Sequence, residues 1–265
     1  MKRMLGRKQS SNNGDWLYAM EHIEELVTRD EVDLYTAKAV GDIKRAVKGK
    51  RAAFAWSGGK DSLVIADLCR QAGVADSVFV HTELEYPAFL DWCMKHKPDG
   101  CEVINVGMGL DWLAKNPQML FPANSTLNYK WFTSVQQTGI REYFLAHKLD
   151  FMIVGHRKAD GNYVGRDNIS TNKKGVVRYS AIADWPHEMI LAYVHYNRLP
   201  MPPIYDWKDG YRCGTHSWAA RSGMRDVREG WAQVYEIDPS IVIGASAKIE
   251  SAREFLASLK EGADR

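Results

Sequence analysis

Ser57-Gly58-Gly59-Lys60-Asp61-Ser62 is the densest run of chemically active residue types in the sequence. An apolar run before it, Ala52 to Trp56, reads as a short buried strand. After it Val64, Ile65, Leu68 and Ala72 recur at helical spacing. A strand, a glycine turn and a helix start together make an anion site. Adjacent glycines remove the Cβ atoms that would hold a phosphate off the backbone. The first N–H groups of a helix lack intrahelical partners and lie at the positive end of its dipole. Lys60 adds a full positive charge, and Ser57 and Ser62 add hydroxyl donors. Asp61 could cap the helix or position a metal ion.

Other reactive groups follow further strand-like runs. His81-Thr82-Glu83 ends one, and the carboxylate pair of Glu83 and Glu85 could help hold Mg2+ on bound phosphates. A solvated helix start that favours acids explains Glu83 equally well. Gly155-His156-Arg157 ends another. The planar fork of Arg157 suits bidentate phosphate binding, with a surface salt bridge as the plainer reading. His156 is a candidate general base or a structural histidine. Lys173, Lys174 and Arg178 could clamp a polyphosphate or sulfate, or stand in solvent. Cys213 lies between Arg212 and His216, which could lower its pKa and let it attack sulfur. A packed, inert thiol is the alternative. His187, Glu188 and His195 lack the four-residue histidine spacing of a zinc helix. Cys93, Cys101 and His96 lack metal-site spacing and read as core.

These groups need elements to position them. Trp16, Met20, Ile23 and Val27 predict a helix capped by Asp15, and a second helix runs from Leu34 to Val47. Strands are expected at Ser77–His81, Cys101–Val106 and Phe151–Gly155. Helices are expected at Pro87–Lys97, at Tyr129–His147 with a kink, at Trp185–Asn197 and at Ala247–Leu259. Residues 162–176 read as a mobile loop. Alternating strands and helices predict an α/β fold, with a Rossmann-like parallel sheet covered by helices on both faces. Ligands then bind at the carboxyl ends of the strands. The expected organisation is a flexible basic tail at 1–14, N-terminal helices at 15–48, a nucleotide-binding core at 49–205 and a C-terminal helical region at 206–265.

Composition excludes several classes. The 265 residues are 45% hydrophobic and 26% charged, which suits a globular chain with a sizeable core. Lys and Arg total 35 against 33 Asp and Glu, so net charge singles out no partner. No apolar stretch reaches membrane-spanning length, and Met1 to Asn13 lacks the apolar segment of a secretory signal. None of the four cysteines forms a Cys-x-x-Cys pair, so no zinc knuckle or iron–sulfur cluster is expected. A reducing cytoplasm is the default location. Lys2, Arg3, Arg7 and Lys8 form either a solvated end or a nucleic-acid arm. Helices outside the sheet offer surfaces for a homodimer.

The six-residue turn is not the Walker type, because Phe54 stands where that pattern needs glycine and Asp61 follows the lysine. It resembles the PP-loop of the ATP pyrophosphatases, or adenine nucleotide alpha hydrolases, which cut ATP between the α and β phosphates. Thr82 and Pro87, the Gly155-His156-Arg157 turn, and the run from Arg178 through Trp185 to Leu199-Pro200 and Pro203-Ile204-Tyr205 are similar to the phosphoadenosine-phosphosulfate reductase branch. The stretch from Trp185 to Trp207 resembles the reductase-like proteins of bacteriophages and mobile elements.

The resemblance implies that Ser57, Gly58, Gly59, Lys60, Asp61, Ser62, Thr82, Gly155 and Arg178 hold ATP or a related adenine nucleotide, with Mg2+ at Asp61 and Glu83. It implies catalytic roles for Lys60, Asp61 and Arg157. His81 and Glu83 depart from the branch's Asp-Thr-Gly pattern. Cys213-Gly214-Thr215-His216 is similar to the tail that supplies the reductase nucleophile, but Arg212 replaces its glutamate. Two chemistries follow. One is adenylylation of an unknown acceptor with pyrophosphate release, followed by amine or sulfur transfer. The other is thiol-dependent reduction of an adenylyl sulfate by Cys213. A nucleotide- or nucleic-acid-binding protein without turnover is the third reading.

Overall fold

The computed structural model describes residues 1–6 and 11–263. Arg7 and Lys8 of the basic tail lie outside the described residues.

Three helices precede the sheet: α1 (Asn13–Glu21), α2 (Ile23–Leu26) and α3 (Arg29–Ala46). Asn12, not Asp15, caps α1. Asp15 is the third helical residue, and its carboxylate returns a bond to the Asn12 N–H in a reciprocal capping box. Thr28 and Glu31 repeat the device on α3, which therefore starts earlier than the apolar pattern implies.

The core continues as β1 (Ala52–Ala55), α4 (Lys60–Ala72), β2 (Ser77–His81), α5 (Pro87–His96), β3 (Glu102–Asn105), α6 (Leu110–Lys115), α7 (Ser125–Ser134), α8 (Gln136–Ala146), β4 (Phe151–Val154), β5 (Ile169–Thr171), β6 (Val177–Ser180) and α9 (His187–Tyr196). The short α10 (Gly210–Cys213) leads to α11 (Val227–Ile237), α12 (Pro239–Ser246) and α13 (Glu250–Ala263). The strands form one sheet in the order β3-β2-β1-β4-β6-β5, parallel except for the β5–β6 pair.

Side chains alternate across the strands, as a pleated sheet requires. Phe54, Phe79 and Ile153 join the main core beneath α4 and α9, while Ala53, Val78 and Met152 join a second cluster with Tyr143 and Phe144 of α8. Both faces are thus covered, and the expected α/β architecture with helices on each side is what forms.

Two segments differ from expectation. The long helix at 129–147 is two helices that break at Val135, whose ψ of −80° leaves the helical region. The 162–176 segment contains β5, turned back onto β6 by Asn172, whose side chain accepts from Lys174 N and Val176 N at 3.0 Å each. A three-residue strand is too short to show alternation. The first residues are docked on the fold. Lys2 N donates to Leu26 O, and Met4 N and Leu5 N donate to the buried Glu188 carboxylate. Leu5 is buried with them.

Candidate active site

The chain leaves β1 toward β2 and β3 on one side, then returns to place β4 and β6 on the other. A crevice between β1 and β4 follows from that reversal, and it opens at the strands' carboxyl ends. A cavity of about 660 Å³ lies there. Its floor is Ser57, Asp61 and Ser62 after β1, Gly155 and His156 after β4, and Arg178 on β6. One wall is the α7–α8 break, with Phe132 and Gln136. The other runs from Arg212, at the end of α10, through mostly irregular chain to Gly223.

The turn itself is tightly held. Gly58 sits at φ +72°, and a Cβ there would come within 2.6 Å of Cys93 Sγ on α5. A Cβ on Gly59 would meet the Thr215 methyl at 2.8 Å. Both glycines therefore serve the packing of neighbouring segments against the turn. Ser62 Oγ donates to Gly59 O at 2.8 Å, and Ser57 Oγ donates to Ser62 Oγ at 3.3 Å. Lys60 N, the first amide of α4, donates to Tyr205 Oη at 2.9 Å. Burial, reinforced by Asp61, holds the Tyr205 phenol well above its ordinary pKa, so it stays a hydroxyl.

Behind the turn lies a buried charge cluster. Lys60 Nζ donates to Asp61 Oδ2 at 2.7 Å and stands 5.3 Å from the centre of the Trp16 ring. Arg157 has no exposed surface. Its Nε donates to Asp61 Oδ1 at 2.7 Å, one terminal nitrogen to Trp185 O at 3.1 Å, and the other to Asp160 Oδ2 at 2.9 Å and to His187 Nδ1 at 3.2 Å. Burial, then the Arg157 and Lys60 charges, push His187 down to about 3, so its ring is neutral and can accept from Arg157. Trp16 lies edge-on to His187 and stacks on Tyr211, sealing the cluster.

The structure thus brings Ser57, Asp61, Ser62, Gly155, Arg178 and Cys213 around one cavity. Lys60 and Arg157 stand behind it and reach it through Asp61. Thr82 is buried at the end of β2, where its hydroxyl accepts from Leu84 N and donates to Glu85. Glu83 is exposed, with its backbone bonded to Met108 O. Asp61 lines the cavity and Glu83 does not. Among the described residues no group of three or more His, Cys, Asp or Glu could hold a metal ion.

Burial shifts two side chains of the cavity. Arg178 is half-buried, and burial lowers its pKa. Its Nε has no hydrogen-bond partner among the described residues. His156 is pushed down to about 4 by burial first and by Arg178 second, so it is neutral near pH 7. Sequence reasoning missed Asp160, which follows Arg157 at the spacing of one helical turn, and Tyr205, visible only as part of a motif. It also missed Arg221, which lines the far wall with no local signal.

The sequence profile of the phosphoadenosine phosphosulfate reductase domain matches residues 51–213, from the start of β1 to Cys213. The chain belongs to this family. A search of curated proteins returns no match. Among solved structures, a phosphoadenylyl-sulfate reductase from Candida auris, a phosphate complex, superposes with a TM-score of 0.51. It is 16% identical, over 68% of this chain and 92% of that one. An NMN synthetase from Francisella tularensis gives 0.46 at 13% identity, over 64% and 71%. An ammonia-dependent NAD synthetase from Campylobacter jejuni gives 0.45 at 16% identity, over 84% and 96%. For this reductase-domain member the first likeness bears out the Rossmann-like, adenine nucleotide alpha hydrolase-like fold. The match ends at Cys213, so the wall from Gly214 to Gly223 lies beyond it.

Proposed function

We propose that the cavity binds ATP or a related adenine nucleotide and that reaction occurs at its α phosphate. One observation carries this reading: at the sheet's switch point, the Ser57 and Ser62 hydroxyls, the start of α4 and the Arg178 guanidinium converge on one cavity. Hydroxyls and a helix start suit phosphate oxygens, and Arg178 supplies a planar cationic donor. Catalysis then rests on holding an in-line geometry and neutralising charge as it develops. A nucleophilic oxygen of the acceptor attacks the α phosphorus, the bond to the bridging oxygen breaks, and pyrophosphate leaves with that bond's electron pair. Neutral His156 is placed to take the acceptor's proton. Asp61 is held by Lys60 and Arg157, so the two cations act by fixing the turn rather than by touching the nucleotide. Of the two carboxylates expected to hold Mg2+, Asp61 lines the cavity and would be the one to meet a metal carried in on the nucleotide's phosphates.

The test is calorimetric titration with α,β-methylene ATP, together with pyrophosphate release from ATP in the presence of candidate acceptors. Binding that weakens in Ser57→Ala and Arg178→Met supports the reading. Absence of any adenine nucleotide binding overturns it.

Cys213 favours a second reading, because it lines the same cavity. Its thiolate would attack the sulfur of an adenylyl sulfate, break the sulfur–oxygen bond and release the adenosine phosphate. A dithiol reductant would then free sulfite from the cysteine S-sulfonate. Sulfite release with thioredoxin, lost in Cys213→Ser, distinguishes this chemistry from adenylylation.

A further inference from the structure

A recess of about 40 Å³ adjoins the main cavity. Glu85 and Thr82 close one side, Trp131 and Val135 a second, and Ser217 a third. Phe132, Gln136, Thr215 and His216 line both spaces, so one molecule can occupy the two together.

The recess is polar in a specific way. Glu85 Oε1 accepts from Thr82 N and Thr82 Oγ1, each at 3.1 Å. Glu85 Oε2 is buried and meets no hydrogen-bond partner among the described residues, and the same holds for Ser217 Oγ. A buried carboxylate oxygen without a donor is costly, so the site is built to be completed. Burial pushes the Glu85 carboxyl up to about 7. The volume matches the tip of a molecule, since one water takes up about 30 Å³ in the liquid. An ionised carboxylate only accepts, while a hydroxyl accepts and donates. A group with several N–H donors satisfies both.

We propose that this recess is the acceptor subsite and that it recognises a primary amino group, with Glu85 Oε2 and Ser217 Oγ accepting its hydrogens. The rest of the acceptor extends past Gln136 and Thr215 into the main cavity, toward the nucleotide. This assignment of an acceptor rests on the nucleotide reading above, but the amine site itself can be tested without nucleotide.

The experiment titrates the full chain, 13C-labelled at glutamate carboxyl carbons, with ethylammonium chloride against a potassium chloride control. Ethanol is the neutral comparison. The expected result is a saturable shift of the Glu85 resonance with ethylammonium and at least tenfold weaker binding of ethanol. Ethylammonium binding, followed by backbone amide shifts, should weaken at least tenfold in Glu85→Gln and several-fold in Ser217→Ala. If Glu85→Gln does not fold, the wild-type comparison and Ser217→Ala decide. No saturation, equal binding of ethanol, or unchanged affinity in a folded variant overturns the proposal. Failure of ATP to bind the same sample removes the nucleotide reading and leaves the amine result to stand by itself.

Discussion

Arg157 Nε donates to Asp61 Oδ1 at 2.7 Å, with the arginine wholly buried and the aspartate still facing the cavity. The two residues come from turns after different strands, β1 and β4, so this bond ties the two lips of the switch-point crevice together. Lys60 holds the other oxygen of Asp61, and Asp160 holds another nitrogen of Arg157. Two cations and two carboxylates alternate in one chain of contacts. Such a network is stable only while every member keeps its partner.

Arg157→Ala should therefore cost about 3–5 kcal/mol of folding stability, because it strands the Asp61 and Asp160 carboxylates. Arg157→Lys restores the charge but not the fork, and should fall between. Replacing both ends, as in Arg157→Met with Asp61→Asn, should cost less than the sum of the single changes. Urea unfolding of the four proteins measures this. Additive losses would show that the two residues do not act as a pair.

Gly58→Ala should destabilise for two separable reasons. The φ of +72° costs an L-residue about 1–2 kcal/mol. The new methyl also meets Cys93 Sγ at 2.6 Å. Cys93→Ala removes the sulfur and leaves the backbone strain. The double variant should thus recover roughly 1 kcal/mol relative to additivity. A double-mutant cycle in urea reads the coupling, and a coupling of zero would mean that α5 shifts away at no cost.

The turn and its strand and helix were legible because six specific residues met two clear periodicities, apolar Ala52–Trp56 and the α4 stripe. The order of strands was legible only as a class, because pairing joins segments far apart in the chain, as where β1 lies between β2 and β4. The direction of Lys60 was not legible at all. Its aim is set by Trp16 and His187, which arrive from α1 and α9 and bury it behind the turn. Asp238-Pro239 is a helix start in plain sight, an acceptor cap before proline at the first position, yet α12 has too little polar contrast to show a stripe. The wall from Arg212 to Gly223 is mostly irregular chain, so no periodicity could place it beside the PP-loop.

His156 makes acid stability a readout of the cavity. Its pKa falls from the ordinary 6.5 to about 4 on folding, so between those values the unfolded chain binds more protons. Stability is then lost as pH drops from 6.5 toward 4, by up to about 3 kcal/mol at 1.4 kcal/mol per tenfold change in proton affinity. His187 adds loss of the same sign, and Glu85, raised by burial, gives the opposite slope between its ordinary carboxylate value and about 7. Comparison of wild type with His156→Gln isolates the first effect. The variant should gain on wild type as pH falls from 7.5 to 4.5 in urea titrations, and a constant difference would place His156 in a solvated, unperturbed setting.

Arg178 separates stability from binding. It is half-buried, its Nε lacks a partner among the described residues, and burial already weakens its hold on the proton. A partly buried charge with a donor left unmet costs the folded state, so an apolar side chain of similar length replaces it without loss. The same guanidinium is a cation that the cavity presents to a phosphate. Hydrogen bonds to charged groups contribute about 1.5–3 kcal/mol, or roughly 10- to 100-fold in affinity. Arg178→Met should therefore melt at or above the wild-type temperature while binding α,β-methylene ATP 10- to 100-fold more weakly. Thermal melts and calorimetry on the same preparation measure both. A variant that loses stability and keeps its affinity would make Arg178 a structural strut and move the phosphate site away from β6.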